Sequence, residues 1–273
     1  MPPLGPPTLL GVPYDAASSF LRGPAEAPPR VREALASAHS NRWTEGGHDL
    51  AAPGALGDAG DVAFAPDAAP ADVHAAITGA VARLLASGGR PLVLGGDHSV
   101  SYPVLRAVRA AHPLLTVLHV DAHPDLYEHY DGDPLSHASP FARVMEHGLA
   151  DRLVQVGVRT MNGHQRAQAA RYGVEVLDMR AWAAGARPAV AGPVYVSLDV
   201  DALDPAFAPG VSHPEPGGLA VREVLTLVQA LPGPLVGADV VEYNPRRDPA
   251  GLTAVVAAKL AKELAGRMLD DSA

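Results

Sequence analysis

The run HVDAHPDLYE at 119–128 sets Asp121, His123 and Asp125 at alternate positions directly behind the apolar run LLTVLHV. In an extended chain residues i, i+2 and i+4 share a face, so two carboxylates and an imidazole can point into one crevice. Pro124 disfavours continuation as a central strand, which puts the triplet where a strand gives way to a loop. Three further apolar runs end in the same kind of chemistry. VYVSLDVDALDP (194–205) carries Asp199 and Asp201, with Asp204 before a proline. PLVLGGDHSV (91–100) ends in two glycines followed by Asp97 and His98, and VGADVVEYNP (236–245) delivers Glu242.

Each of these residues alone has an ordinary role. Asp at a strand end usually bonds local backbone as a turn or cap residue. Asp97 behind two glycines reads as the cap of the next helix, and an isolated Glu242 reads as a surface residue or salt-bridge partner. Together, Asp121, Asp125, Asp199, Asp201 and Glu242 would gather negative charge with no Lys or Arg within three positions of any of them. Burying even one unpaired carboxylate costs several kcal/mol, so cations must be present. Arginines from elsewhere in the fold could supply them, but His98 and His123 among the carboxylates favour metal ions.

Four Asp and two His without sulfur form a hard oxygen and nitrogen set. That set suits Mn(II), with Zn(II), Fe(II), Co(II) or Ni(II) as substitutes. Six protein ligands are too many for one catalytic ion that keeps open positions and enough for two. The chemistry this implies is metal-assisted hydrolysis.

The elements that must position these groups follow from the hydrophobic pattern. Seven short Val- and Leu-rich runs, at 8–14, 91–96, 114–120, 152–159, 173–179, 193–200 and 234–243, have the length of strands buried on both faces. Between them, helical spacing recurs at 71–88, 100–112, 139–148, 164–173, 220–232 and 251–269. This alternation predicts an α/β fold with a parallel sheet covered on both faces. Ser139 before Pro140 reads as an N-cap with proline at the first helical position, and Gly148 suits the stop. GPAEAPP (23–29) and AFAPDAAPAD (63–72) read as surface connections. With no repeat, charge block or dividing linker, one domain over 1–273 is expected.

Composition narrows the function. With 48% hydrophobic and 19% charged residues in 273, the chain can build one extensive core. A net charge of −9 argues against nucleic acid, whose binding needs clustered Lys and Arg. No run of about 18 apolar residues suggests a membrane span. The absence of cysteine excludes disulfides and thiolate chemistry. The start MPPLGPPTLLGVPYD lacks a basic n-region and a long apolar stretch, so a cytoplasmic protein is expected.

GGDHS, DAHPD and SLDVDALDP resemble, in order and spacing, the three metal-binding motifs of the ureohydrolases, the family of arginase, agmatinase and guanidinobutyrase. The likeness covers nearly the whole chain. SHASPFARVME, QVGVRTMN, DPAFAPGVSHPEPGGL and GADVVEYNPRRD look most like the plant-type arginases. The resemblance implies a three-layer αβα sandwich with a largely parallel sheet of about eight strands, and a homotrimer or homohexamer. It implies that His98, Asp121, His123, Asp125, Asp199 and Asp201 ligate two Mn(II) ions. It further implies that Asp125 orients the attacking hydroxide and passes a proton to the leaving nitrogen, that Glu242 pairs with the substrate guanidinium, and that His137 shuttles protons.

The substrate expected from the likeness is L-arginine, cleaved to L-ornithine and urea. Agmatine or another guanidino compound is the alternative, and a single-zinc deacetylase-like amidohydrolase is a remote one. In the loop 126–136, LYEHYDGDPLS stands where plant-type arginases carry a GNKYSH-like stretch. Glu128, Asp131 and Asp133 would attract a simple cation such as agmatine, unless they form a solvated loop face. Asn162 could contact an amino-acid head group, although its place also suits a helix start.

Overall fold

The computed structural model describes residues 4–65 and 67–271. Its centre is a single sheet of β1 (Pro7–Gly11), β2 (Gly57–Asp61), β3 (Arg90–Leu94), β4 (Thr116–Val120), β5 (Arg152–Val156), β6 (Glu175–Leu177), β7 (Val194–Asp199) and β8 (Leu235–Val241). The spatial order is β2-β1-β3-β8-β7-β4-β5-β6, and every pairing is parallel. The expected eight-stranded α/β sandwich is therefore what the chain forms.

Alternate residues of each strand enter two cores, one on each face of the sheet. Leu92, Leu94, Leu118, Val120, Val196 and Leu198 face α1 (Ala27–Leu35), α7 (Val221–Gln229) and α8 (Leu252–Asp270) through Val31, Leu225 and Leu264. Val93, Val117, Leu153 and Tyr195 face the opposite way. There they meet Ile77 of α2 (Pro70–Ala86), Leu105 of α3 (Ser101–Ala111) and Phe141 of α4 (Pro140–Glu146). The remaining helices are α5 (Gly163–Tyr172) and α6 (Met179–Ala183).

Three sequence readings need correction. β2, with the sequence GDAGD, has no apolar run, and it is held at the sheet edge by Arg32 of α1. That guanidinium bonds both Asp58 oxygens, at 2.9 and 3.0 Å, and Asp61. GPAEAPP is not a connection: Pro24–Glu26 forms a 3-10 turn leading into α1, with Pro24, Ala27 and Pro28 buried. Proline is tolerated in a first helical turn because its missing N–H would have no intrahelical partner there. Of 63–72, Pro66 lies outside the described residues, and α2 already begins at Pro70. Ser139 precedes Pro140 at the start of α4 as expected, yet its buried hydroxyl makes no cap hydrogen bond. Gly148, just past α4, takes the left-handed φ of 63° that suits a helix stop.

After β3 the chain crosses to β4, leaving β8 and β7 to fill the space between. The carboxyl ends of β3, β8, β7 and β4 thus lie side by side on one edge, the region where ligands bind in parallel sheets.

Candidate metal centre

Behind β3, Gly96 lets the backbone of the β1–α1 loop lie against it; a Cβ there would meet the Tyr14 carbonyl oxygen at 1.8 Å. Asp97 then caps the turn, accepting from Ser99 N at 3.1 Å, while its other oxygen accepts from Ala17 N at 3.0 Å. Asp97 therefore has the capping role, and His98 turns inward. Asp121 and Asp125 follow β4, and Asp199 ends β7. Asp201 reaches the site through the 3-10 turn Val200–Ala202 rather than by strand alternation, its N–H bonded to Asp199 Oδ1 at 2.7 Å. Asp204 stays outside, accepting from Ala206 N and Gly217 N in its own loop.

His98 Nδ1 lies 3.1 Å from a carboxylate oxygen of each of Asp121, Asp125 and Asp199. A second point is surrounded by Asp121, His123 and Asp201, with His123 Nδ1 3.1 Å from Asp201 and 3.4 Å from Asp121. Asp121 belongs to both. Three non-glycine residues have positive φ among the described residues, and two of them are here: Asp125 at 48° and Glu242 at 62°. Such backbone persists only where the surroundings over-determine it, and it is common at functional sites.

A further tier orients these groups. His119 bonds Asp121 Oδ2 through Nε2 at 2.7 Å, takes Gln155 on Nδ1 at 3.0 Å, and stacks on Phe141 at 3.8 Å. His98 Nε2 meets Ser197 Oγ at 3.0 Å, and Ser197 donates to buried Asp239, which also accepts from Ser101 and Tyr195. None of these stood out in the sequence. His119 had a signal, since it lies two positions before Asp121 in the same HVDAH run.

The donors fit metal ions better than they fit one another. His98 Nδ1 is buried with three carboxylate oxygens around it yet makes no hydrogen bond, because one N–H cannot be aimed at three acceptors. Burial, with Asp201 and Asp121 beside it, drives Asp199 well above the usual carboxylate range. Burial likewise pushes Asp201 up to about 6. Burial disfavours a charged His98, but Asp121, Asp125 and Asp199 hold it well above its ordinary value. Carboxylates crowded this closely are a cluster that cations would relieve, since metal binding favours the ionised ligand.

Beside the cluster opens a cleft of about 160 Å³. Glu242 Oε1 accepts from His98 N at 3.0 Å and faces His137 Nδ1 at 2.8 Å, whereas Oε2 is buried without a partner. His137 Nε2 meets Ser19 Oγ at 2.8 Å. His213, which sequence reasoning missed, tilts against the His137 ring at 5.2 Å. In loop 126–136, Asp131 and Gly132 both have positive φ in a two-residue hairpin turn between Tyr130 and Asp133. Tyr127 and Tyr130 face the cleft, whereas Glu128, Asp131 and Asp133 are exposed and do not line it. Asn162 is exposed and caps α5, accepting from Gln165 N at 3.0 Å; its amide donates to Tyr127 OH at 2.7 Å.

The family model for the arginase family matches residues 7–266. Arginase 1, mitochondrial, of Arabidopsis thaliana is 50% identical over 96% of this chain and 80% of its own length. Arginase 2, chloroplastic/mitochondrial, of the same plant is 49% identical over 95% and 80%. The solved arginase from Medicago truncatula superposes with a TM-score of 0.91 at 47% identity, over 98% of this chain and 89% of that one. The expectation of a cytoplasmic protein is corrected by these names. Relatives at about half identity are called mitochondrial or chloroplastic, not cytoplasmic.

Proposed function

The chain belongs to the arginase family of ureohydrolases, and on that premise we propose that it is a manganese enzyme, one domain over 1–273, that splits L-arginine into L-ornithine and urea. One observation carries the reading: two sets of carboxylate and imidazole donors share Asp121 beside a Glu242 oxygen that lacks a partner. His98, Asp121, Asp125 and Asp199 are assigned to one ion, and Asp121, His123 and Asp201 to the other. The hard oxygen and nitrogen set is the reason for choosing manganese. When bound, such a metal pair acidifies water near neutral pH and offsets the negative charge of the transition state.

The protein groups supply the rest. Glu242 Oε2 accepts from the guanidinium, since Oε1 already serves His98 N and His137. Because this pairing exists in the ground state too, Glu242 contributes more to substrate binding than to rate. Asp125, which lines the cleft, orients the attacking water and takes up its proton. The C–N bond to the side-chain nitrogen breaks as that nitrogen gains a proton, and His137 restores the proton balance with solvent. Tyr127, Thr160 and Gln165 line the cleft and offer neutral hydrogen-bonding groups to the substrate's far end. Asn162 acts there through Tyr127.

A second reading, agmatine to putrescine and urea, is favoured by one feature: among the described residues no Lys or Arg lines the cleft to meet a carboxylate. The test is urea release by manganese-loaded protein with L-arginine, agmatine and 4-guanidinobutyrate side by side. A preference for agmatine would overturn arginine as the substrate. Elemental analysis giving about one zinc per chain would favour deacetylase-like chemistry instead. The assembly proposed is a homotrimer or homohexamer, and a monomer in analytical ultracentrifugation would remove it.

A further inference from the structure

We infer that Ser19 is the group through which His137 exchanges protons with solvent, and that buried Asp97 holds it in position. The inference rests on the urea-forming reaction proposed above, in which each turnover must give a proton to the leaving nitrogen and regain one.

The assignment begins with the two nitrogens of one ring. His137 Nδ1 faces Glu242 Oε1 at 2.8 Å, and an ionised carboxylate only accepts, so Nδ1 carries the hydrogen. Nε2 therefore presents its lone pair to Ser19 Oγ at 2.8 Å in the neutral ring, and donates to the same oxygen in the charged ring. A hydroxyl both donates and accepts, so it serves either state by turning its hydrogen alone. Both residues line the cleft, but His137 is buried, at 8% exposure, whereas Ser19 is exposed. The route from Nε2 to water passes that hydroxyl.

Ser19 is placed by tethers on both sides of its loop. Asp97 N donates to Tyr14 O at 2.9 Å, and Asp97 Oδ2 accepts from Ala17 N at 3.0 Å and from Ser18 Oγ at 3.3 Å. From the other side, His137 N donates to Ala17 O at 3.2 Å. The acidic and basic groups facing His137 are Glu242, Asp97, Asp125 and His213. Of the groups named, Ser19 alone bonds Nε2.

The test compares two variants of nearly equal shape in the manganese-loaded full chain. Ser19→Val replaces the hydroxyl with a methyl, whereas Ser19→Thr keeps it. The valine variant should lose roughly tenfold in kcat with little change in KM, bind metal normally, and recover partly when imidazole buffer is added. The threonine variant should stay within about twofold of the parent. Equal kcat in the two variants overturns the inference, as does a loss in the valine variant that imidazole leaves untouched. A second readout needs no turnover. In 15N-labelled, zinc-loaded protein the His137 Nε2 proton should exchange with water more slowly in the valine variant than in the parent. If the parent releases no urea from any guanidino compound, the reaction is wrong, and this exchange rate alone decides the role of Ser19; unchanged exchange overturns it.

Discussion

His137 is a buried imidazole whose environment pulls two ways. Burial disfavours its charge, but the Glu242 carboxylate outweighs burial and pushes the ring up to about 9. Burial alone would raise Glu242, and His137 holds it below its ordinary value. A histidine raised on folding stabilises fully below its unfolded value near 6.5 and loses that contribution as pH climbs through about 9. Calorimetry should therefore find the melting gap between the parent and His137→Asn widest near pH 6, closing toward about pH 10. A gap that widens with pH would contradict the pairing. The same variant should lose about a hundredfold in kcat while its metal content stays unchanged; undiminished turnover would remove His137 from the mechanism. At this scale the six carboxylates and imidazoles of the cluster were readable, because each follows an apolar run at short spacing. Asp239 and Ser197 were not, since inside a strand a polar residue betrays nothing about the partner it meets across the sheet, and His119 showed only in its alternation with Asp121.

Among the elements, β2 depends on a side chain more than on its own sequence. Arg32 is partly exposed, so its bonds to Asp58 and Asp61 are screened by solvent and contribute roughly 1 kcal/mol. Arg32→Ala should lower Tm by about 2–4 °C and strip hydrogen-exchange protection from 57–61. Urea release should be unaffected, because β1 separates β2 from the four strands that carry the site. Lost activity with an intact fold would show that the edge reaches the chemistry. Seven strands were legible from continuous apolar runs, which burial on both faces demands, whereas GDAGD offers no such signal. Helix α1 was hidden by prolines that read as punctuation until their place in the first turn is known. The acids of loop 126–136 were legible as residues but not as directions. The tight turn at Asp131–Gly132 sends them outward and the tyrosines inward.

For the whole molecule, the buried carboxylates couple folding to metal. Chelation should lower the melting temperature, and manganese at a hundredfold excess over its Kd should restore about 5–10 °C. Melting that ignores verified metal removal would mean the cluster is balanced by protons alone. The strand order has a consequence for the chain as it is made. The last described strand in sequence, β8, sits between β3 and β7 in the sheet and pairs with both. A nascent chain still lacking residues 235–241 can hold β2-β1-β3 as one ribbon and β7-β4-β5-β6 as another. Each would then present a naked, apolar edge. Such a ribosome-bound intermediate invites sticking between neighbours on a polysome and would need chaperone shelter until synthesis is nearly over. A premature stop just ahead of β8 should therefore leave insoluble debris and no partly working enzyme.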